Sequence, residues 1–163
     1  MNQAHLHLLI THLPVFGSII GALVLIYGLW TKSNHTKNAA YFIFILSAIG
    51  AGIAYLTGEG AEDAVEHLQG VTENLIEIHE DAAMYALISL IVLGGMSLIA
   101  LVVSRFKIPF AKSTSTIILL FSLVSFGLVA RTGYLGGQIR HTEIATGAIQ
   151  NNHGGEAGDK DDD

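Results

Sequence analysis

Residues Ala82–Val103, AAMYALISLIVLGGMSLIALVV, decide how this chain folds. The run holds no charged side chain, and its apolar residues do not gather on one stripe, as they do in an amphipathic helix of a soluble protein. At about 1.5 Å of rise per residue it is long enough to cross a hydrocarbon layer of about 30 Å. Three more runs have the same character: Leu8–Trp30, broken by His12; Ala39–Thr57; and roughly Thr114–Leu135. They explain why 51% of the 163 residues are hydrophobic and only 13% charged, half the usual share for a soluble domain. Four such segments predict an all-α integral membrane protein, an up-down bundle of four helices.

Charge sets the expected orientation. The first connection, Thr31–Asn38, holds Lys32 and Lys37, and the third, Ser104–Lys112, holds Arg105, Lys107 and Lys112, with no acid in either. All fourteen acidic residues lie between Glu59 and Asp81 or after Arg140. The positive-inside rule places the two basic connections in the cytoplasm and both termini outside, which in a bacterium is the periplasmic face of the inner membrane. The first run lacks a preceding Lys or Arg, is long for a signal peptide and is followed by no small-residue cleavage site, so it is expected to stay as a span. Absence of cysteine excludes disulfides, thiolate metal sites and covalent haem attachment through CxxCH. No nucleophile triad, phosphate loop or nucleic-acid surface is evident.

Smaller features organise the chain. Gly17–Gly21 and Gly133–Gly137 each have the Gly-x-x-x-Gly spacing that lets helix backbones approach. Pro14 either starts the regular first helix or kinks it, freeing carbonyls near His12. In the long second connection, Val65, Leu68, Val71, Leu75 and Ile78 recur at near-helical spacing among acids. This predicts a short amphipathic helix to about Leu68, a break at Gly70, and Thr72 as N-cap of the third long helix. The four-helix domain is expected over residues 1–141, with 142–163 a Gly-rich, acidic and disordered tail.

Histidines carry the functional signal. His7 and His12 stand at the outer end of the first span, His79 at that of the third, and His141 at the end of an extended fourth. Counted from the cytoplasmic end of each run, His7 and His79 lie about 35 Å up, His141 about 40 Å and His12 about 27 Å. Helices one and three face each other diagonally in an up-down bundle. A flat macrocycle between them can take an axial imidazole from each side. His7 and His12 point about 140° apart on a helix, which suits two separate roles better than one small ion. Arg131 and Arg140, the basic residues nearest this layer, suit haem propionates.

Other uses of these residues compete. His5, His35 and His153 read as interfacial or hydrogen-bonded structural residues, and His67 as a surface residue beside Glu66. Arg131 could pair structurally with Glu59. Glu77 or Glu80 could join His79 in a carboxylate–imidazole site for Zn²⁺, Cu²⁺ or Fe²⁺. No Glu-x-x-His pair of the di-iron bundles occurs.

The stretch His7-Leu-Leu-Ile-Thr-His12-Leu-Pro14 resembles the HPxxVHFP opening of the bacterial membrane family known as domain of unknown function 2231. Gly136-Gly-Gln-Ile-Arg-His141 is similar to that family's GGxLVYxHG close, and His79 matches its histidine at the head of the third span. The resemblance covers about residues 5–141. Leu8 stands where the family has Pro, and Thr142-Glu143 replace its Gly-rich continuation. What the resemblance implies is a four-helix membrane domain, sometimes joined to Rieske or cytochrome c modules, with His7, His12, His79 and His141 carried over.

These readings lead to one expected function, a small b-type cytochrome with one or two bis-histidine haems b at its outer face. His7, His12, His79 and His141 are the candidate iron ligands, and Arg131 and Arg140 the propionate partners. The protein would carry electrons between a quinol pool or membrane redox complex and a basic periplasmic c-type cytochrome, rather than transform a substrate. A non-haem metal-binding protein and a structural subunit of a respiratory assembly are the alternatives.

Overall fold

The structure, a computed structural model, describes residues 3–67, 71–106 and 112–140. Within them the chain forms six helices and no strand: α1 Gln3–Ile10, α2 His12–Trp30, α3 Asn34–Leu56, α4 Glu59–Glu62, α5 Glu73–Arg105 and α6 Lys112–Arg140. Four segments are long and apolar enough to cross a membrane, and the first of them, Gln3–Trp30, is α1 and α2 together. α2 packs on α3, α3 on α5, α5 on α6 and α6 back on α2. Neighbours in sequence are therefore neighbours in space, and α2 and α5 stand across the diagonal, as an up-down bundle requires.

The α2–α3 hairpin shows how local chemistry fixes this arrangement. α2 ends with Lys32 in the left-handed region at φ 54. The Ser33 N–H donates to the Gly28 carbonyl (3.0 Å) and the Lys32 N–H to that of Leu29 (3.3 Å). This is the Schellman closure that satisfies orphan carbonyls at a helix end. Ser33 then caps α3, its hydroxyl accepting from the Thr36 N–H at 3.2 Å. One tight turn thus stops one helix and starts the next antiparallel to it.

Small residues let the two helices touch. Gly17 lies on Ser47, Gly21 on the Phe44 ring and Gly28 on the backbone of Lys37. A Cβ on Gly21 would sit 2.5 Å from the Phe44 ring. The first Gly-x-x-x-Gly pair is therefore a packing surface. The second is not, for a Cβ on Gly133 or Gly137 would meet nothing within 4 Å.

Both the interior and much of the exterior of the bundle are apolar. The core combines Leu25, Phe44, Leu90, Leu93 and Ile118 with seven buried serines, at positions 18, 47, 89, 97, 115, 122 and 125. Most of these hydroxyls return to their own helix, as Ser47 does to the Ile43 carbonyl (2.9 Å), while Ser115 bonds the Tyr41 hydroxyl of α3 (2.8 Å). Large apolar side chains such as Leu23, Phe42, Ile88, Ile99 and Leu120 face outward, each more than half exposed. An apolar exterior around small and hydroxylic contacts is the pattern of helices that associate without a hydrophobic driving force between them.

The second connection differs from its expected form. Its helix is the single turn Glu59–Glu62, followed by turns as far as His67; Leu68 and Gly70 lie outside the described residues. Glu59, Glu62, Asp63 and Glu66 recur at helical i, i+3 and i+4 spacing, where like charges destabilise a helix. Thr72 is the N-cap of α5, its hydroxyl accepting from the Leu75 N–H at 3.4 Å.

Candidate functional site

The site lies at the end of the bundle where α1, the C-terminus of α3, α4, the start of α5 and the upper part of α6 meet. Its first element is the break between α1 and α2. Pro14 has no N–H to offer the Ile10 carbonyl, and the helix is interrupted at Thr11, three residues earlier. The Leu8 carbonyl next to this break accepts from the Thr11 hydroxyl (2.9 Å) and from His12 Nδ1–H (2.7 Å). Thr11 itself keeps helical dihedrals, φ -61 and ψ -23, so α1 continues the apolar segment of α2, and it packs against both α3 and α4.

That placement delivers His7 to the end of α3. Its Nδ1–H donates to the Ala54 carbonyl at 2.9 Å, with the Thr57 hydroxyl 3.3 Å away. Ala54 is in the last turn of α3, and its carbonyl also accepts from the Thr57 N–H (3.3 Å) and hydroxyl (3.0 Å), so the imidazole joins the C-terminal cap of α3 from another helix. The half-buried ring also lies beside Gly58.

His79 is held in the same way from the opposite corner. Its Nδ1–H donates to the Thr132 carbonyl of α6 at 3.1 Å. The ring rests on Gly136, one turn further on, where a Cβ would come within 3.0 Å of His79 Cε1. A side chain there would push the ring back by a few tenths of an ångström, so glycine favours this close approach of imidazole and helix. His7 lies within electrostatic range of His79, so α1 and α5 bring their imidazoles to one region from across the diagonal.

The hydrogen bonds also fix tautomers. A backbone carbonyl can only accept, so Nδ1 carries the proton in both rings. With the proton on Nδ1, the second nitrogen, Nε2, carries the lone pair in each ring, and no hydrogen bond to it is found among the described residues. Metal-binding histidines are commonly oriented in this way, through an Nδ1–H bond to a backbone carbonyl. Among the described residues, no three His, Asp or Glu side chains form a group fit to hold a metal ion. What the geometry offers is two imidazoles.

Acidic groups border them. Glu62 of α4 has its carboxyl held above the ordinary range, first by partial loss of solvent and next by the Glu80 carboxylate, with which it shares a hydrogen bond. Glu66 and Asp63 add to the repulsion. Glu80 follows His79 directly and acts on it electrostatically.

The other candidates are not gathered here. His12 is exposed, and its ring stacks on Phe16 with centroids 6.0 Å apart and planes inclined by 20°. Arg131 precedes Thr132 at the level of the site but is exposed, and no ion pair joins it to Glu59 among the described residues. Arg140 is the last residue of α6, its side chain outside the described set, and His141 lies beyond it. His67 pairs with Glu66 at 3.1 Å on the surface, as its sequence position suggests. The carbonyls of Ala54 and Thr132 escape sequence reasoning, because every residue type has a carbonyl. Gly136 did leave a signal, in the Gly136-Gly137 pair. No family model, no curated protein and no solved structure matches this chain.

Proposed function

We propose that the protein is a membrane electron carrier that holds haem b between His7 and His79. The observation that carries this reading is the shared posture of the two rings. Each is anchored through Nδ1–H to a carbonyl of another helix, and neither Nε2 has a hydrogen bond among the described residues. Anchoring removes rotamer freedom before a ligand arrives, which lowers the entropic cost of binding. Two imidazoles from diagonal helices suit the two axial positions of a flat macrocycle better than the tetrahedral shell of zinc. Bound haem would supply a one-electron Fe³⁺/Fe²⁺ couple.

The chain's own groups would tune that couple. Glu59, Glu62, Asp63, Glu66 and Glu80 surround this end with negative charge, which favours the ferric state and lowers the potential. The same charge would steer a basic partner such as a periplasmic c-type cytochrome, with an association rate that falls as salt rises. With the site at one end, the reading makes the protein a relay between a quinol pool or membrane redox complex and that partner, in a bacterial inner membrane with both termini in the periplasm. Arg131 and Arg140 remain the residues for propionates, and His12 and His141 the ligands of any second haem. The resemblance to the domain of unknown function 2231 family agrees with redox work, as analogy alone.

A reduced-minus-oxidised spectrum of the protein, purified in detergent and reconstituted with haem, tests this. The expected result is a Soret band and sharp α-band in the parent protein and in His12→Ala, with loss of the low-spin signal in His7→Ala and His79→Ala. A signal that survives both losses overturns the assignment. Colourless protein with stoichiometric copper, zinc or iron would move the reading to a non-haem metal site.

A further inference from the structure

The opposite end of the bundle contains a cleft that the proposed haem site does not use. It has a volume of about 420 Å³ and is lined by Asn38 near the start of α3 and by Leu101, Val102 and Arg105 near the end of α5. We propose that this cleft seats an anionic phospholipid, with its phosphate on Arg105 and Asn38 and an acyl chain against Leu101 and Val102.

Charge is the first argument. Every acidic residue of the chain lies between Glu59 and Asp81 or beyond Arg140, so neither connection at this end contains a carboxylate. Arg105 is exposed and forms no ion pair among the described residues. A guanidinium stays protonated at any physiological pH and presents a planar fork of donors that matches phosphate oxygens. It is thus open to an anion from outside the chain. Lys32 and Lys37, on and just after the α2–α3 turn, give this end further positive charge.

The character of the cleft then selects the kind of anion. Half of its lining residues are aliphatic, and Val102 is 47% exposed. Inorganic phosphate would engage Arg105 and Asn38 but leave Leu101 and Val102 bare. A phospholipid satisfies both halves at once, with its headgroup at the rim and its chain running along α5. Basic pockets between membrane helices bind anionic headgroups on this chemistry. A zwitterionic lipid carries the same phosphate together with an ammonium that the basic end repels. The proposal rests on the membrane part of the reading above and is independent of what His7 and His79 bind.

The test uses the full chain reconstituted in vesicles of equal phosphatidylglycerol and phosphatidylcholine, then extracted in mild detergent, with retained lipid counted by native mass spectrometry. The expected result is retention of phosphatidylglycerol over phosphatidylcholine by about fivefold, the effect of one well-placed basic residue. Arg105→Gln should bring the ratio near one at unchanged helical circular dichroism, and Arg105→Lys should keep part of the preference. His67→Gln, at the acidic end, should retain it in full. Equal retention of the two lipids by the parent protein overturns the proposal, as does an undiminished preference in Arg105→Gln. So does displacement of the lipid by millimolar inorganic phosphate, which would leave the apolar half without a role. Loss of haem binding would leave this ratio unchanged, whereas a chain that never enters the vesicles would remove the membrane reading itself.

Discussion

Gly17 and Gly21 of α2 and Gly133 and Gly137 of α6 share a spacing and little else. The first pair lies against Ser47 and the Phe44 ring of α3, while the second meets no heavy atom within 4 Å. The histidines divide in the same way. His7 reaches the end of α3, and His12, five residues on, is exposed and stacked on Phe16. A motif states only which residues share a helix face. Whether that face meets another helix depends on how the helix is turned about its axis, and that rotation is a property of the bundle.

Substitution at the two glycine pairs should separate them most sharply. Gly21→Leu drives a branched side chain into the Phe44 ring, and unlike a flexible chain end the ring has no room to retreat in a filled core. The expected loss is about 3 kcal/mol or more, seen as a large fall in the thermal unfolding midpoint in detergent. Gly133→Leu removes a poor helix former where a Cβ meets nothing within 4 Å and should stabilise by up to about 1 kcal/mol. Equal losses at the two positions would mean that α2 and α6 are both packed through glycine, contrary to the contacts described here.

A smaller contrast separates adjacent glycines on α6. Gly136→Val places methyl groups against the His79 ring, which must leave the Thr132 carbonyl to make room. The expected cost is about 1–3 kcal/mol together with a weakened low-spin haem signal. At Gly137 a Cβ meets nothing within 4 Å, and Gly137→Val should leave both readouts near the parent values.

The smallest expected effect is electrostatic. Folding raises the Glu62 carboxyl above its ordinary value of 4.5, so in that window the folded protein binds more protons than the unfolded chain. Stability contributed by this group therefore falls as pH rises from about 4.5 through the raised folded value. Glu62→Gln, neutral at every pH, should flatten that part of the unfolding-midpoint profile and raise the midpoint slightly above it. A profile unchanged by the substitution would mean that Glu62 and Glu80 do not face each other.

The four apolar segments were legible in the sequence because a stretch of some twenty uncharged residues has few other structural solutions. The N-cap at Thr72 was legible because a hydroxyl that precedes a helix has a specific use for its first free N–H. Hydrophobic spacing predicts a helix to about Leu68, yet among the described residues it ends at Glu62, where repulsion among Glu59, Glu62, Asp63 and Glu66 opposes it. At the site, a count of residues supplies the height of His7, His12, His79 and His141 along their segments, and of these the structure brings His7 and His79 to one region. Their partners at Ala54, Thr132 and Gly136 were beyond such a count, since helical rise gives height and leaves azimuth open.

Taken alone, the amino-acid order determined the number and approximate length of the long apolar segments and the placing of the acids relative to them, since each follows from local composition and a fixed rise per residue. Tertiary structure decided which glycines touch, which histidines turn inward and which carbonyls hold them. Those outcomes depend on rotation about four helix axes at once, and only mutual packing sets it.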